Sequence, residues 1–239
     1  MKVKAIISAL MLMACGMASA QTKTYLNVET APGVYKSFEV NENLKISWGE
    51  KKELPPSTGT EKRTGNIDVN WVQLWEDGPK FAEYNLGAAN NKAEDYGGYY
   101  AWGGSQDKVD DHKTGTDALS GDSDTATQLW GDNWRMPTKA EFEALLANCT
   151  VEWTNVNGVD GRKFTGKGDY LSNSVFLPAA GYCNGGNVYS QGLNGRFWSS
   201  TPSGSDYAYD LYVGSGSQSV EDYNRYRRHG YSVRAVLAE

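Results

Sequence analysis

The chain has 239 residues, and its 29 acidic and 23 basic side chains give a net charge of −6 at pH 7. An acidic chain whose lysines and arginines are scattered binds nucleic acid poorly, so this composition excludes that class of partner. Tryptophan and tyrosine number 8 and 15, although the mean hydropathy is only −0.58. Because large rings bury considerable area each, we expect aromatic side chains to supply much of the core.

The first twenty residues have the pattern of an export signal. Lys2 and Lys4 give a basic start, an apolar run follows, and Ala18-Ser19-Ala20 matches a small-x-small cleavage site. We predict that residues 1–20 are a signal peptide, whose removal takes away two lysines and no acids and brings the net charge to −8. Lipid attachment at Cys15 is the alternative, although the residues before it fit that motif poorly. The apolar run is too short to span a bilayer, and we expect no transmembrane segment.

Two segments are expected ahead of the main domain. Residues 21–48 carry apolar runs around the turn signal Ala31-Pro32-Gly33 and predict a small unit of two or three strands. The stretch 49–65 is polar and rich in proline, serine and glycine, which predicts a poorly ordered linker. The main domain is then expected over residues 66–239.

Turn signals divide the main domain into short strands. Asp77-Gly78-Pro79 and Asn157-Gly158 each lie between apolar runs and predict hairpins. Gly214-Ser215-Gly216-Ser217 predicts a further turn between two strands near the C-terminus.

Two helices are predicted. Asp124 is placed to cap a short helix over residues 125–130. The clearer helix begins just after Pro137, because Thr138 and Glu141 fit a capping box, and it ends at Asn148.

Two cysteines remain after cleavage at Ala20, namely Cys149 and Cys183. Export permits a disulfide between them. Two separate buried thiols are the alternative, and the sequence leaves both open.

Four ordered motifs resemble a known family. They are Asp95-Tyr96-Gly97-Gly98-Tyr99-Tyr100-Ala101-Trp102-Gly103, Trp130-Gly131-Asp132-Asn133-Trp134-Arg135-Met136-Pro137-Thr138, Phe176-Leu177-Pro178-Ala179-Ala180-Gly181-Tyr182, and Trp198-Ser199-Ser200-Thr201 with Ser232-Val233-Arg234. Together they resemble the Fibrobacter succinogenes major paralogous domain, over about Trp71 to Val236. That family has a C-type-lectin-like fold, which formylglycine-generating enzymes and the variable proteins of diversity-generating retroelements also use. The resemblance implies an α+β fold of two helices with small twisted antiparallel sheets, many loops, and terminal strands brought together.

The resemblance also implies an exposed binding face made by the C-terminal strands and loops. The ligand-binding positions that it implies alternate with scaffold residues, and they are Asn184, Asn187, Tyr189, Arg196, Ser203, Asp206, Tyr207, Tyr209, Tyr212, Tyr223, Asn224, Tyr226, Arg227, Arg228 and His229. Trp198, Arg135 and Arg234 are expected to be scaffold. Tyrosine offers rigid contact area, and serine and asparagine adapt their hydrogen bonds, which suits recognition. Simple packing of half-buried tyrosines is the alternative for any one of them.

Catalytic and metal chemistry has little support in the sequence. His112 and His229 are the only histidines, which argues against a multi-histidine metal site, and no base is predicted beside Cys149. The sugar-binding triplets of calcium-dependent lectins are absent. A calcium site would need several converging oxygen ligands. The acids that could still gather by chance are Asp206, Asp210, Glu221 and Asp222.

We therefore expect an exported, non-enzymatic module without a cofactor, at the cell surface or in the periplasm, with outer-membrane attachment if Cys15 is lipidated. Its expected ligand is a glycan or a protein, bound by the C-terminal face. The basic residues Arg225, Arg227 and Arg228 would suit an acidic glycan or partner, although a solvated face with local ion pairs is the alternative. A structural or assembly component of the bacterial envelope is the alternative function.

Overall fold

The computed structural model describes residues 5–9, 24–31, 34–40, 56–104, 111–221 and 225–238. They belong to two compact units, Met1–Glu53 and Leu54–Glu239. In the described ranges no helix has the length and hydrophobicity needed to cross a bilayer.

The first unit is a three-stranded antiparallel sheet. Its strands are β1 (Ala5–Ala9), β2 (Thr24–Ala31) and β3 (Val34–Val40), in the order β1-β2-β3. β2 and β3 confirm the two strands predicted on either side of the first turn signal. The third strand, predicted near residues 44–48, and the cleavage site lie outside the described residues. β1 falls within the predicted signal peptide, whose removal stays a prediction.

The second unit consists of short antiparallel sheets. Its strands are β4 (Thr58–Arg63), β5 (Ile67–Gln73), β6 (Lys80–Ala82), β7 (Trp134–Arg135), β8 (Thr150–Val156), β9 (Val159–Thr165), β10 (Ser174–Pro178), β11 (Tyr182–Asn184), β12 (Asn187–Tyr189), β13 (Asn194–Ser203), β14 (Tyr207–Gly214), β15 (Gln218–Glu221) and β16 (Val236–Leu237). The sheet orders are β4-β5-β6-β16-β7, β10-β9-β8, β11-β12 and β13-β14-β15. Early and final strands of the unit thus share one sheet, as the resemblance implied.

The predicted hairpin turns are confirmed. β5 and β6 pair across the first turn, where Asp77 has a φ of 57°. β8 and β9 pair across Asn157 and Gly158, whose φ angles of 50° and 89° are both left-handed. Two successive left-handed residues match the twist of the strands that they join. β14 and β15 pair across the glycine-serine turn.

Asp124 caps the first helix, α1 (Thr125–Trp130), as predicted. Its carboxylate accepts hydrogen bonds from the backbone N–H groups of Ala126 at 2.8 Å and Thr127 at 3.2 Å. It also accepts one from the N–H of Met136 at 2.9 Å, which the sequence did not indicate. One buried side chain therefore ties the start of α1 to the segment that follows β7.

The second helix, α2 (Lys139–Asn148), also has the predicted limits. The Glu141 N–H donates to the Thr138 hydroxyl at 3.2 Å, and the Thr138 N–H donates to the Glu141 carboxylate at 2.7 Å. Arg135 donates to both oxygens of the same carboxylate, at 2.8 and 2.6 Å. Arg135 is therefore part of the scaffold, as expected.

The linker prediction for residues 49–65 is wrong over Thr58–Arg63, which form β4. This strand pairs with β5, and the Ser57 carbonyl accepts a hydrogen bond from the Gln73 N–H at 2.8 Å. β4 lies at the edge of its sheet and alternates between exposed and half-buried residues. Its side chains are polar or absent on both faces, so no apolar alternation marks it as a strand.

The two cysteines are both free. Cys149 is buried among apolar side chains at the end of α2, and this burial raises the pKa of its thiol to about 11. Cys183 is half-buried in β11. The alternative of two separate thiols is the one observed.

Aromatic side chains fill much of the core, as the composition suggested. Two groups of buried residues form it. The rings of the first include Tyr100, Trp102, Trp134, Trp198 and Tyr231. Those of the second are Phe81, Phe142, Phe164 and Phe197.

Arg234 is fully buried, and its guanidinium group joins three parts of the second unit. It donates to the Asn85 side-chain oxygen at 2.8 Å, to the Glu83 carbonyl at 2.8 Å and to the Phe176 carbonyl at 3.0 Å. A further bond reaches the Ala82 carbonyl at 3.2 Å. Burial lowers the pKa of Arg234 to about 9, so the group stays charged at neutral pH.

We expect Arg234→Gln to lower the free energy of unfolding by about 3–5 kcal/mol, because it leaves buried oxygen acceptors without their donors. Urea denaturation of the chain measures the loss. Arg228→Gln is the matched control, since it removes the same charge from an exposed side chain and should change stability by less than about 0.5 kcal/mol. Equal losses in both variants would contradict the role assigned to the buried network.

Candidate functional site

Four tyrosines and one histidine form a continuous row of rings on the second unit, which we call the aromatic face. The ring centroids of Tyr207 and Tyr226 are 4.8 Å apart, and those of Tyr226 and His229 are 5.5 Å apart. The row continues from His229 to Tyr182 at 6.0 Å. It ends with Tyr189, whose ring stacks on Tyr182 at 5.5 Å.

The β11–β12 hairpin builds one end of the aromatic face. Its loop is Gly185-Gly186, and both residues have left-handed φ angles, 56° and 79°. Two such residues form the tight turn that suits a two-residue hairpin. The resulting register places Tyr182 opposite Tyr189, which brings their rings together.

The segment 225–231 builds the other end. It is held by single bridges between Tyr207 and Tyr226 and between Cys183 and Gly230. A side chain at Gly230 would meet the Cβ atoms of Tyr99 at 2.9 Å and Cys183 at 3.0 Å. Only glycine allows the segment to lie this close to β11.

Tyr231 and Trp198 form a rigid floor beneath the aromatic face. They are 1% and 0% exposed, and their rings stack with centroids 4.0 Å apart. The Trp198 indole N–H donates to the Tyr100 carbonyl at 2.8 Å, which fixes the ring. Burial raises the pKa of the Tyr231 hydroxyl, which lies 3.5 Å from Nδ1 of His229.

Two arginines stack on rings of this surface. The Arg196 guanidinium lies 5.6 Å from the ring centroid of Tyr182 and 5.2 Å from that of Tyr212. The exposed Arg228 guanidinium lies 4.4 Å from the ring centroid of Tyr226. Cations over aromatic rings are attracted by the ring quadrupole, which orients both guanidinium groups.

A buried acid, Asp210, links two arginines below the surface. It accepts a hydrogen bond from Arg225 at 2.7 Å and a longer one from Arg196 at 3.5 Å. Burial raises the pKa of Asp210 to about 6, although both arginines act in the opposite direction. Arg225 also pairs with Glu221.

Among the described residues, the acids considered for calcium form no group of three that could hold a metal ion. Asp210 and Glu221 are both paired with Arg225. Asp206 is exposed and bonded to Ser205, and Asp222 lies outside the described residues.

His229 is neutral at pH 7. Its half-buried position and, to a smaller extent, the positive charges of Arg228, Arg196 and Arg225 lower the pKa of its ring to about 4. Three guanidinium groups therefore lie near the centre of the aromatic face, although the whole chain is acidic.

Seven of the predicted contact residues come together on or around the aromatic face. They are Tyr189, Arg196, Tyr207, Tyr212, Tyr226, Arg228 and His229. Asn184 and Asn187 lie exposed at the β11–β12 turn, and Ser203 and Asp206 lie at the β13–β14 turn. Tyr223 and Asn224 lie outside the described residues.

The prediction that Arg227 is an exposed contact is wrong, because its side chain is fully buried. The guanidinium lies 4.0 Å from the Trp102 ring centroid and donates to the Tyr207 carbonyl at 3.0 Å. It also donates to the carbonyls of Gly115 at 2.8 Å and Gly204 at 2.7 Å. Arg227 stands in a run of basic residues, and the carbonyl groups that accept its hydrogen bonds are distant in sequence. Its structural role could therefore not be recognised from the neighbouring residues.

Tyr209 does not share the aromatic face. The two-residue period of β14 places Tyr209 on the side of Tyr207 and opposite Tyr212, so the contacts of each ring, rather than the period, separate Tyr209 from the aromatic face. Tyr212 contacts Arg196, whereas the Tyr209 ring lies 4.4 Å from Nζ of Lys139 in α2. No ring contact among the described residues joins Tyr209 to the row, and its role as a ligand contact stays a prediction.

Sequence reasoning missed Tyr182, which we had assigned to the end of a buried strand motif. The signal that would have found it is the pair of adjacent glycines, Gly185-Gly186, which fixes Tyr182 opposite the predicted contact Tyr189. Sequence reasoning also did not predict that Asp210 and Arg225 form a hydrogen bond beneath the aromatic face.

A cavity of about 600 Å³ lies between β4–β5 and residues 172–176, apart from the aromatic face. None of the predicted contact residues lines it. Its one charged group, Glu83, already accepts a hydrogen bond from Asn70 at 2.8 Å. The aromatic face brings together the predicted contact residues and the exposed Arg228, and we take it as the candidate site.

One protein-family model matches the chain, over residues 154–236, and it is described as a domain of unknown function (DUF8237). The matched segment contains every residue of the aromatic face. Comparison with curated proteins found no match. Comparison with solved structures also found none.

The protonation of His229 should weaken the fold in acid. Its folded-state pKa of about 4 lies below the ordinary 6.5, so its contribution to stability is complete above pH 6.5 and is lost as the pH falls toward 4. After discounting for the half-buried ring, we expect the unmodified chain to lose about 1–2 kcal/mol more than His229→Gln across this range.

Urea unfolding at a series of pH values measures this difference. The raised pKa of Asp210 makes the fold more stable as the pH falls, which is opposite to the effect of His229. Asp210 is present in both the unmodified chain and His229→Gln, so its effect cancels when their free energies of unfolding are subtracted. A stability difference that does not change with pH would contradict the assignment.

Proposed function

We propose that the second unit is an exported, non-enzymatic module that binds a glycan or a protein through the aromatic face. The observation that carries the proposal is the continuous row of rings, with the exposed Arg228 guanidinium stacked on Tyr226. Tyrosine and arginine are the side chains that most often dominate binding energy at interfaces.

An exposed ring at one end of the face supports this proposal. Tyr189 is 44% exposed although it stacks on Tyr182. A large exposed ring that is already ordered suits contact with a partner.

The rigidity of the surface supports it as well. Tyr231 and Trp198 hold the rings from below, and Arg196 is fixed by Asp210 and by two further rings. Because these side chains are already ordered, binding costs little additional conformational entropy.

We also propose that this unit has the C-type-lectin-like fold of the family that its motifs resemble. Two short helices, small antiparallel sheets, and early strands that share a sheet with β16 support that assignment. A binding face at the C-terminal strands agrees with it.

A component of the cell envelope is the second candidate function. It is supported by the first unit, in which β2 and β3, beyond the predicted signal peptide, form a hairpin of their own that is available for assembly. Deletion of residues 21–53 distinguishes the two, since loss of assembly with intact ligand binding would favour this second function.

The binding proposal predicts that Tyr226→Ala and Arg228→Gln each weaken ligand binding at least about tenfold without unfolding the chain. A glycan array and a screen against surface proteins identify the ligand, and titration measures its affinity. Tyr209→Ala is the matched control, because this tyrosine lies against α2 and should leave affinity unchanged. Full binding by the doubly substituted chain would count against the proposal.

A further inference from the structure

A small cleft of about 200 Å³ lies on the second unit and shares no residue with the aromatic face. The rings of Tyr84, Tyr100 and Trp130 contribute to its lining, together with Ala88, Leu129 and Arg63. Gly87 and Asn91 are the exposed residues at its rim. Ligand pockets commonly measure about 300–1,000 Å³, so this cleft suits only a small molecule.

Two residues of the cleft have buried polar atoms without a hydrogen-bond partner. Tyr84 is 3% exposed, and its hydroxyl has no partner among the described residues. The Nε–H of Arg63 is likewise buried and unpaired there. A buried polar group without a partner destabilises the fold, so a partner bound in the cleft would offset that cost.

The same two side chains meet at one ring. The Tyr84 ring contacts Trp130 edge-on, with centroids 5.5 Å apart. The Arg63 guanidinium lies 5.6 Å from the Trp130 ring centroid. Both unsatisfied groups therefore belong to side chains packed around Trp130.

The charge of the cleft is positive. No described carboxylate pairs with Arg63, and no acidic residue lines the cleft. A water molecule would satisfy the Tyr84 hydroxyl but would leave the guanidinium without a counter-ion. An anion satisfies both requirements.

We propose that this cleft binds a small organic carboxylate, with its oxygens accepting hydrogen bonds from Arg63 and Tyr84. A planar guanidinium matches a carboxylate in shape and charge. The short carbon chain of the ligand would lie against Ala88, Leu129 and the Trp130 ring, which are the apolar walls. One guanidinium and one hydroxyl suit a single negative charge better than the nearly double charge of phosphate.

The test compares propionate with propionamide, which has almost the same shape but no charge. Both are titrated into the full chain, and NMR follows the backbone amides of Ala88 and Leu129. We expect saturable shifts with propionate and none with propionamide.

Variants assign the binding to the cleft. Arg63→Gln should weaken propionate binding at least about tenfold, since hydrogen bonds to charged groups carry about 1.5–3 kcal/mol. Tyr84→Phe should also weaken it while leaving the unliganded chain at least as stable as before, because it removes a buried hydroxyl that has no partner among the described residues. Arg228→Gln makes the same charge change on the aromatic face and should have no effect.

Three results would overturn the proposal: no saturable shift with propionate, equal shifts with propionamide, or unchanged propionate binding in Arg63→Gln. Equal weakening by Arg228→Gln would show a general effect of charge and would also overturn it. None of these results bears on the aromatic face, whose ligand is tested separately.

Discussion

Two arginines, Arg227 and Arg234, lie in the interior of the second unit and donate to carbonyl oxygens of distant segments. The strands here are short, so many carbonyl groups at strand ends and in loops have no ladder partner. One guanidinium carries five donors in a fixed plane and can satisfy several such groups at once. Neither guanidinium forms a salt bridge within the described residues, so carbonyl dipoles balance much of the buried charge. Loops with little regular structure depend on these two side chains for their positions.

The hydrogen bonds of the buried arginines also position the candidate site. Arg227 bonds to the carbonyls of Gly204 and Tyr207 and so fixes the β13–β14 turn beside the row of rings. Above it, Asp210 holds Arg196 and Arg225 in place, and the stacked pair of Tyr231 and Trp198 supports the rings. The aromatic face is therefore rigid because of buried polar contacts as much as because of apolar packing.

Local chemistry made part of this structure predictable. The Asn157-Gly158 turn, the Asp124 cap and the Thr138 capping box act within a few residues, and each has the predicted position. β4 was not predicted, because a polar edge strand has no apolar alternation. Arg227 was predicted to be exposed, because the carbonyl groups that bind it are distant in sequence. The place of Tyr209 beside α2 depends on its contact with Lys139, which is distant in sequence, so the period of the strand could not predict it.

The position of Arg227 between two surface side chains has an evolutionary consequence. Tyr226 and Arg228 lie on either side of Arg227, whose buried side chain is held by several hydrogen bonds. The backbone conformation of all three residues therefore depends on Arg227. Exchanges at the two flanking positions alter the outer surface while the anchor between them is retained. A lineage of such chains can thus vary its outer surface by changing neighbours of a fixed residue, without having to evolve a new scaffold each time.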